Sequence, residues 1–115
     1  MNNNSGISML LFKIIDKTLE GRVEWVKGVY FNSFVYNMSE TSISLTLNAG
    51  ENNNDYVFFN ILDGTGLVIE SIGESFSWSP TRDSTPISYL YYIAKRKALK
   101  VDEAINNIVT YIDSL

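Results

Sequence analysis

The clearest alternation of polar and apolar positions runs from Ser42 to Asn48, where Ile43, Leu45 and Leu47 take every second place. Successive side chains of a strand point to opposite faces, so this segment predicts a strand with those three residues toward the core. Arg22 to Lys27 largely alternates charged and apolar side chains and places Val23 and Trp25 on one face. Tyr56 to Leu62 is apolar except at Asn60, the mark of a strand in the middle of a sheet. Asn48 to Asp55 is a polar connection. Asp63-Gly64-Thr65-Gly66 supplies residues that accept positive φ and predicts a tight hairpin returning through Leu67 to Ile72.

Helical spacing brackets these strands. Ile7, Leu10, Leu11, Ile14, Ile15 and Leu19 form one stripe, with Asn4 or Ser5 as first-turn caps and Gly21 as a left-handed stop, so the helix ends near Glu20. Ser84-Thr85-Pro86 sets a capping hydroxyl before a proline at the first helical position. The inward stripe of that helix is Ile87, Leu90, Tyr91, Ala94 and Ala98. A second set, Val101, Ala104, Ile105, Ile108, Val109, Ile112 and Leu115, keeps the helical period to the end, with Asp102 available to cap a fresh start. Two short helices or one bent helix follow from it. The whole predicts a single α+β domain over residues 1–115. An N-terminal helix precedes a meandering antiparallel sheet of about five strands, and one or two C-terminal helices pack on that sheet.

Composition narrows the chemistry. The 115 residues include no histidine and no cysteine, which removes the usual neutral-pH acid/base, the commonest metal ligands and the thiol nucleophile. Asp16, Glu20 and Glu24 are the nearest approach to a carboxylate pair, but Asp16 and Glu20, four apart on a helix, more simply form a solvated face with Lys13 and Lys17. Asp63 alone does not make a calcium loop, and its glycines lead into a strand rather than a phosphate-binding helix. The expectation is a protein that is not an enzyme and uses no cofactor or metal.

Nine basic residues against thirteen acidic ones give a net charge of -4. The compact basic cluster, Lys95-Arg96-Lys97 with Lys100, follows Tyr91 and Tyr92, but it also sits where a helix dipole prefers cations. With the acidic total, no nucleic-acid partner is expected. The longest apolar run, Tyr89 to Ala94, is far short of the ~20 residues of a bilayer span, and no basic stretch introduces a secretory core. A cytoplasmic protein without membrane attachment is expected.

Fifteen residues are aromatic. Within Tyr56 to Leu62, one face carries Val57, Phe59 and Ile61, and the other carries Tyr56, Phe58 and Leu62 beside Asn60. If helices cover only the first face, the second is open to a partner or to self-association. Trp78, in the loop from Ser75 to Pro80, is the expected exposed anchor. Tyr56, Phe58, Leu62 and Trp78 are therefore the expected partner-binding residues.

Three segments, Lys17 to Trp25 (KTLEGRVEW), Leu62 to Ser71 (LDGTGLVIES) and Ser88 to Val109 (SYLYYIAKRKALKVDEAINNIV), together cover much of the chain's architecture. In them the chain resembles a family of small uncharacterised bacterial α+β proteins with no established activity. Such proteins run a helix into a Trp-bearing strand, carry an Asp-Gly hairpin and close on a Leu-Tyr helix. Lys100 departs from the pattern, standing where a helix-stopping glycine is expected. The resemblance implies fold and no chemistry. The expected function is a non-enzymatic protein-interaction module, immunity- or antitoxin-like in type. The alternative is a small-molecule-binding domain with an aromatic-lined pocket between helix and sheet.

Overall fold

Five strands pair in chain order as an antiparallel meander: β1 (Val26–Lys27), β2 (Ser33–Asn37), β3 (Ser42–Asn48), β4 (Tyr56–Leu62) and β5 (Val68–Ser75). The helices are α1 (Ser5–Leu19), α2 (Pro86–Ala98) and α3 (Val101–Asp113). This computed structural model describes residues 5–115; the expected caps of α1, Asn4 and the Ser5 side chain, lie outside the described residues. The α+β architecture is the one the sequence predicts, with two helices at the C-terminal end rather than one bent helix. Among the described residues no helix is long and apolar enough to cross a membrane.

Register explains which side of the sheet is dry. Leu45 pairs with Phe34 and with Phe59, and Phe59 with Ile72, so strand alternation sets Phe34, Leu45, Phe59, Ile43 and Val57 on one face, all nearly inaccessible. Against that face lie Ile7, Leu11, Ile14 and Ile15 of α1 and Ile87, Leu90 and Ala94 of α2. Leu19, expected in the α1 stripe, is half exposed; the inward position of that last turn goes to Thr18, which is fully buried. Trp25 is the reason: its indole N–H donates to the Thr18 hydroxyl at 3.0 Å. Helix α1 stops as expected at Gly21, whose φ is 76°. The Gly21 and Arg22 N–H groups bond back to the carbonyls of Thr18 and Lys17, which closes a Schellman turn.

Two expected caps are replaced. Helix α2 begins at Pro86, but Thr85 makes no side-chain cap; Glu74 of β5 instead accepts the backbone N–H groups of Ile87 and Ser88 at 3.2 and 2.8 Å. Asp102 likewise does not cap α3. It binds Arg96, and Lys100, in left-handed geometry at φ 52° and ψ 47°, occupies the cap position. Of the two hairpin glycines only Gly66 has positive φ. The hairpin is drawn tight by Asp63, whose Oδ1 accepts from the Thr65 hydroxyl and from the N–H groups of Thr65 and Leu67.

Lys100 does two jobs in one residue. Its N–H bonds to Lys97 and its carbonyl accepts from Ala104, so it ends α2 and starts α3, and the turn between them is the left-handed residue itself. A side chain in that geometry costs roughly 1–2 kcal/mol, and glycine has no such penalty. Part of the gain is lost to glycine's greater freedom when unfolded, so Lys100→Gly is expected to raise stability by about 1 kcal/mol. A higher urea midpoint at unchanged slope is the sign of it; a lower midpoint contradicts the assignment of strain to this residue.

Candidate partner-binding site

A line of aromatic rings leads from the core to the surface. Phe34, buried, meets Tyr91 edge-on at 5.5 Å; Tyr91 meets Phe76 at 6.0 Å, and Phe76 meets Trp78 at 4.9 Å, both at nearly right angles. Edge-to-face pairs of this kind are favourable and directional, and they fix where Trp78 stands although its own ring is 84% exposed. The loop is also pinned from below, because the Ser77 N–H donates to the buried Ser88 hydroxyl of α2 at 3.1 Å. Burial raises the Tyr91 phenol above its ordinary pKa, which keeps the ring neutral.

Beside Trp78 opens a groove of about 310 Å³, walled by Pro80, Tyr92, Lys95, Arg96 and Val101. Its floor is apolar and its rim basic. Arg96 stacks 5.6 Å above the Tyr92 ring and binds Asp102, so it joins the last turn of α2 to the first of α3. Val101 makes the groove continuous with α3, and there the surface changes character. From Val101 to Leu115 eight residues are apolar and seven polar. At 100° per residue the apolar ones fall on one arc of about 160° and the polar ones on the other. No α3 residue is buried, and the helix packs chiefly on the end of α2. It leads away from the body, and with it the chain measures 60 × 38 × 26 Å with a radius of gyration of 15.5 Å, against about 13 Å for a compact chain of this length.

The four expected binding residues fall in two places. Trp78 is in the groove on the helical side. Tyr56, Phe58 and Leu62 lie on the opposite, helix-free face of the sheet, as alternation requires, but they do not make a continuous aromatic patch. Phe58 lies over Gly73, where an added Cβ would stand 2.6 Å from its ring. Between Phe58 and Leu62 runs a bonded polar row in which Asn60 donates to Ser44 at 3.1 Å and accepts from Ser71 at 2.7 Å. This face is polar at its centre.

The acidic residues are engaged elsewhere. Asp16 forms a two-pronged pair with Arg82 at 3.1–3.2 Å, and Arg82 also covers the Phe12 ring. Glu20 pairs with Lys17 and Arg22. The bonds from Thr65, its hydroxyl first, hold the Asp63 carboxyl below the usual carboxylate range. Among the described residues no three acidic side chains gather where a metal ion could sit.

No family model, curated protein or solved structure matches the chain. None of these comparisons supports the family expected from the three segments. Alternation and loop chemistry pointed to Trp78. Tyr92, Arg96 and the bare face of α3 were missed as parts of a site, although the complete segregation of α3 is readable from its sequence.

Proposed function

We propose that the chain is a cytoplasmic protein-interaction module rather than an enzyme, and that it receives its partner on the Trp78 groove and the adjoining apolar face of α3. The observation that carries this reading is α3 itself. A 13-residue helix is marginal in water without tertiary packing, and this one has every apolar residue on one side and none of them buried among the described residues. Contiguous bare apolar surface of this kind marks association. The aromatic groove supports the same reading over a small-molecule pocket. It is a cleft at the flank of α2, outside the helix–sheet interface, and it opens into the helix face instead of closing around a ligand.

Recovery of the tagged chain from its host beside a Trp78→Ala version tests this. The unaltered chain is expected to bring down a protein, a second copy of itself included, and Trp78→Ala to reduce the yield at least ~10-fold, as loss of a buried aromatic anchor does. A tightly held small molecule released by Trp78→Ala, with no accompanying protein, would overturn the proposal.

A further inference from the structure

We propose that the occupant of this surface is a second copy of the chain, bound through an antiparallel pairing of the two α3 helices about a two-fold axis at Ile108. This rests on the reading of α3 as a protein-binding element and specifies its partner.

Seven of the eight apolar residues from Val101 to Leu115 are placed symmetrically around that residue, Val109 being the exception. Val101, Ala104, Ile105, Ile108, Tyr111, Ile112 and Leu115 stand at -7, -4, -3, 0, +3, +4 and +7 from it. A two-fold antiparallel pair requires an arrangement of that sort, because each residue at +n meets the other copy's residue at -n. The Val101, Ile105, Ile108, Ile112, Leu115 spacing of four and three is also the seam of packed helices. The pairing sets Leu115, 87% exposed in the single chain, against Val101 of the other copy, at the mouth of the groove beside Trp78. Groove and helix face are filled by one partner.

Area and charge agree with this occupant. Side chains of roughly 200 Å² each, about half to nine-tenths exposed from Ile105 to Leu115, leave some 700 Å² of apolar surface bare on each copy, close to the ~800 Å² per partner of a stable interface. The polar arc of α3 holds Asp102, Glu103 and Asp113 and no basic residue. An anionic membrane surface would repel it, whereas membrane-lying helices carry Lys and Arg there.

Sedimentation of the whole chain gives the first test. The expected mass is twice 13.0 kDa, falling to 13.0 kDa for Ile108→Lys and staying doubled for Thr110→Lys at the middle of the polar arc. Ile108 is outside the core, so the amides of β3 and β4 should keep their hydrogen-exchange protection in Ile108→Lys, which separates loss of pairing from loss of fold. Orientation is read from single cysteines placed in this cysteine-free chain. Under mild oxidation Ile108→Cys should cross-link to itself, and Val101→Cys should cross-link to Leu115→Cys in a mixture but not to itself. A 13.0 kDa parent at every concentration, a doubled mass that survives Ile108→Lys, or self-cross-linking of Val101→Cys would each overturn the pairing. So would a monomer that binds phosphatidylserine vesicles through Ile108. A monomer that still loses a different protein companion on Trp78→Ala would refute the pairing alone and leave the interaction module standing.

Discussion

Replacing Trp25 with alanine is expected to cost about 3–5 kcal/mol, the range for removing a large aromatic from a packed interior. The side chain is 3% exposed, tilts against Tyr36 at 6.0 Å, and ties the strand side of the core to α1 through the Thr18 hydroxyl. Alanine leaves a cavity that the rigid junction between α1 and the sheet edge cannot close, and it strips a fully buried hydroxyl of its partner. Thr18→Val separates the two effects, because it keeps the packing and removes the acceptor, leaving the indole N–H buried and unpaired at a cost of about 1–3 kcal/mol. Urea unfolding followed by circular dichroism, at one fixed protein concentration because association adds to apparent stability, reads both. A loss below ~1 kcal/mol for Trp25→Ala would contradict the role given to this contact.

Glu74→Ala is expected to cost about 2 kcal/mol, since hydrogen bonds to a charged acceptor are each worth more than neutral ones and two are lost together at a helix start. The carboxylate is the only side-chain partner the first turn of α2 has for Ile87 and Ser88 among the described residues. Glu74→Gln keeps one acceptor oxygen and no charge, and should lose about half as much. The effect should reach the groove as well. Ser88 holds the Ser77 N–H, so loosening the start of α2 frees the loop that carries Trp78, and hydrogen exchange at the Ser77 N–H should quicken in Glu74→Ala before any global unfolding. Unchanged exchange together with unchanged stability would show that α2 is capped adequately without β5.

What could be read in the sequence was what local geometry dictates. Gly21 announces its positive φ, Pro86 its helix start, and the Ser42–Asn48 alternation its buried face. The misses share a physical cause, which is that the partner is remote. A cap for α2 that comes from a strand residue twelve positions before Pro86 leaves no mark near the helix, and so Thr85 was the natural expectation. Arg82 bound to Asp16 joins a loop to a helix far back in the chain, and no spacing rule reaches that distance. The fate of α3 is different again. Periodicity fixes which side of a helix needs covering but says nothing about what covers it, so the same pattern that made a core helix plausible describes equally well an arm reaching for another molecule. Trp78 was legible as a loop tryptophan, while its place at the end of a ring series from Phe34 depended on how β2, β5 and α2 come together.

The bulge in β5 bears on edge-to-edge pairing of the sheet. Ile61 pairs with Glu70 but Leu62 pairs with Val68, so Ile69 is an extra residue on the outermost strand. An eight-residue edge with its peptide groups in step would be a template on which a foreign strand could grow. Ile69 puts the groups on its two sides out of step and adds local twist. Glu70 would also meet a like charge if two such edges approached. At the other end of the sheet β1 is only two residues long, too short to seed stacking. A protein that offers a bare apolar helix must keep its sheet from competing for the same encounters, and an unpaired isoleucine in the edge strand works against open-ended strand stacking.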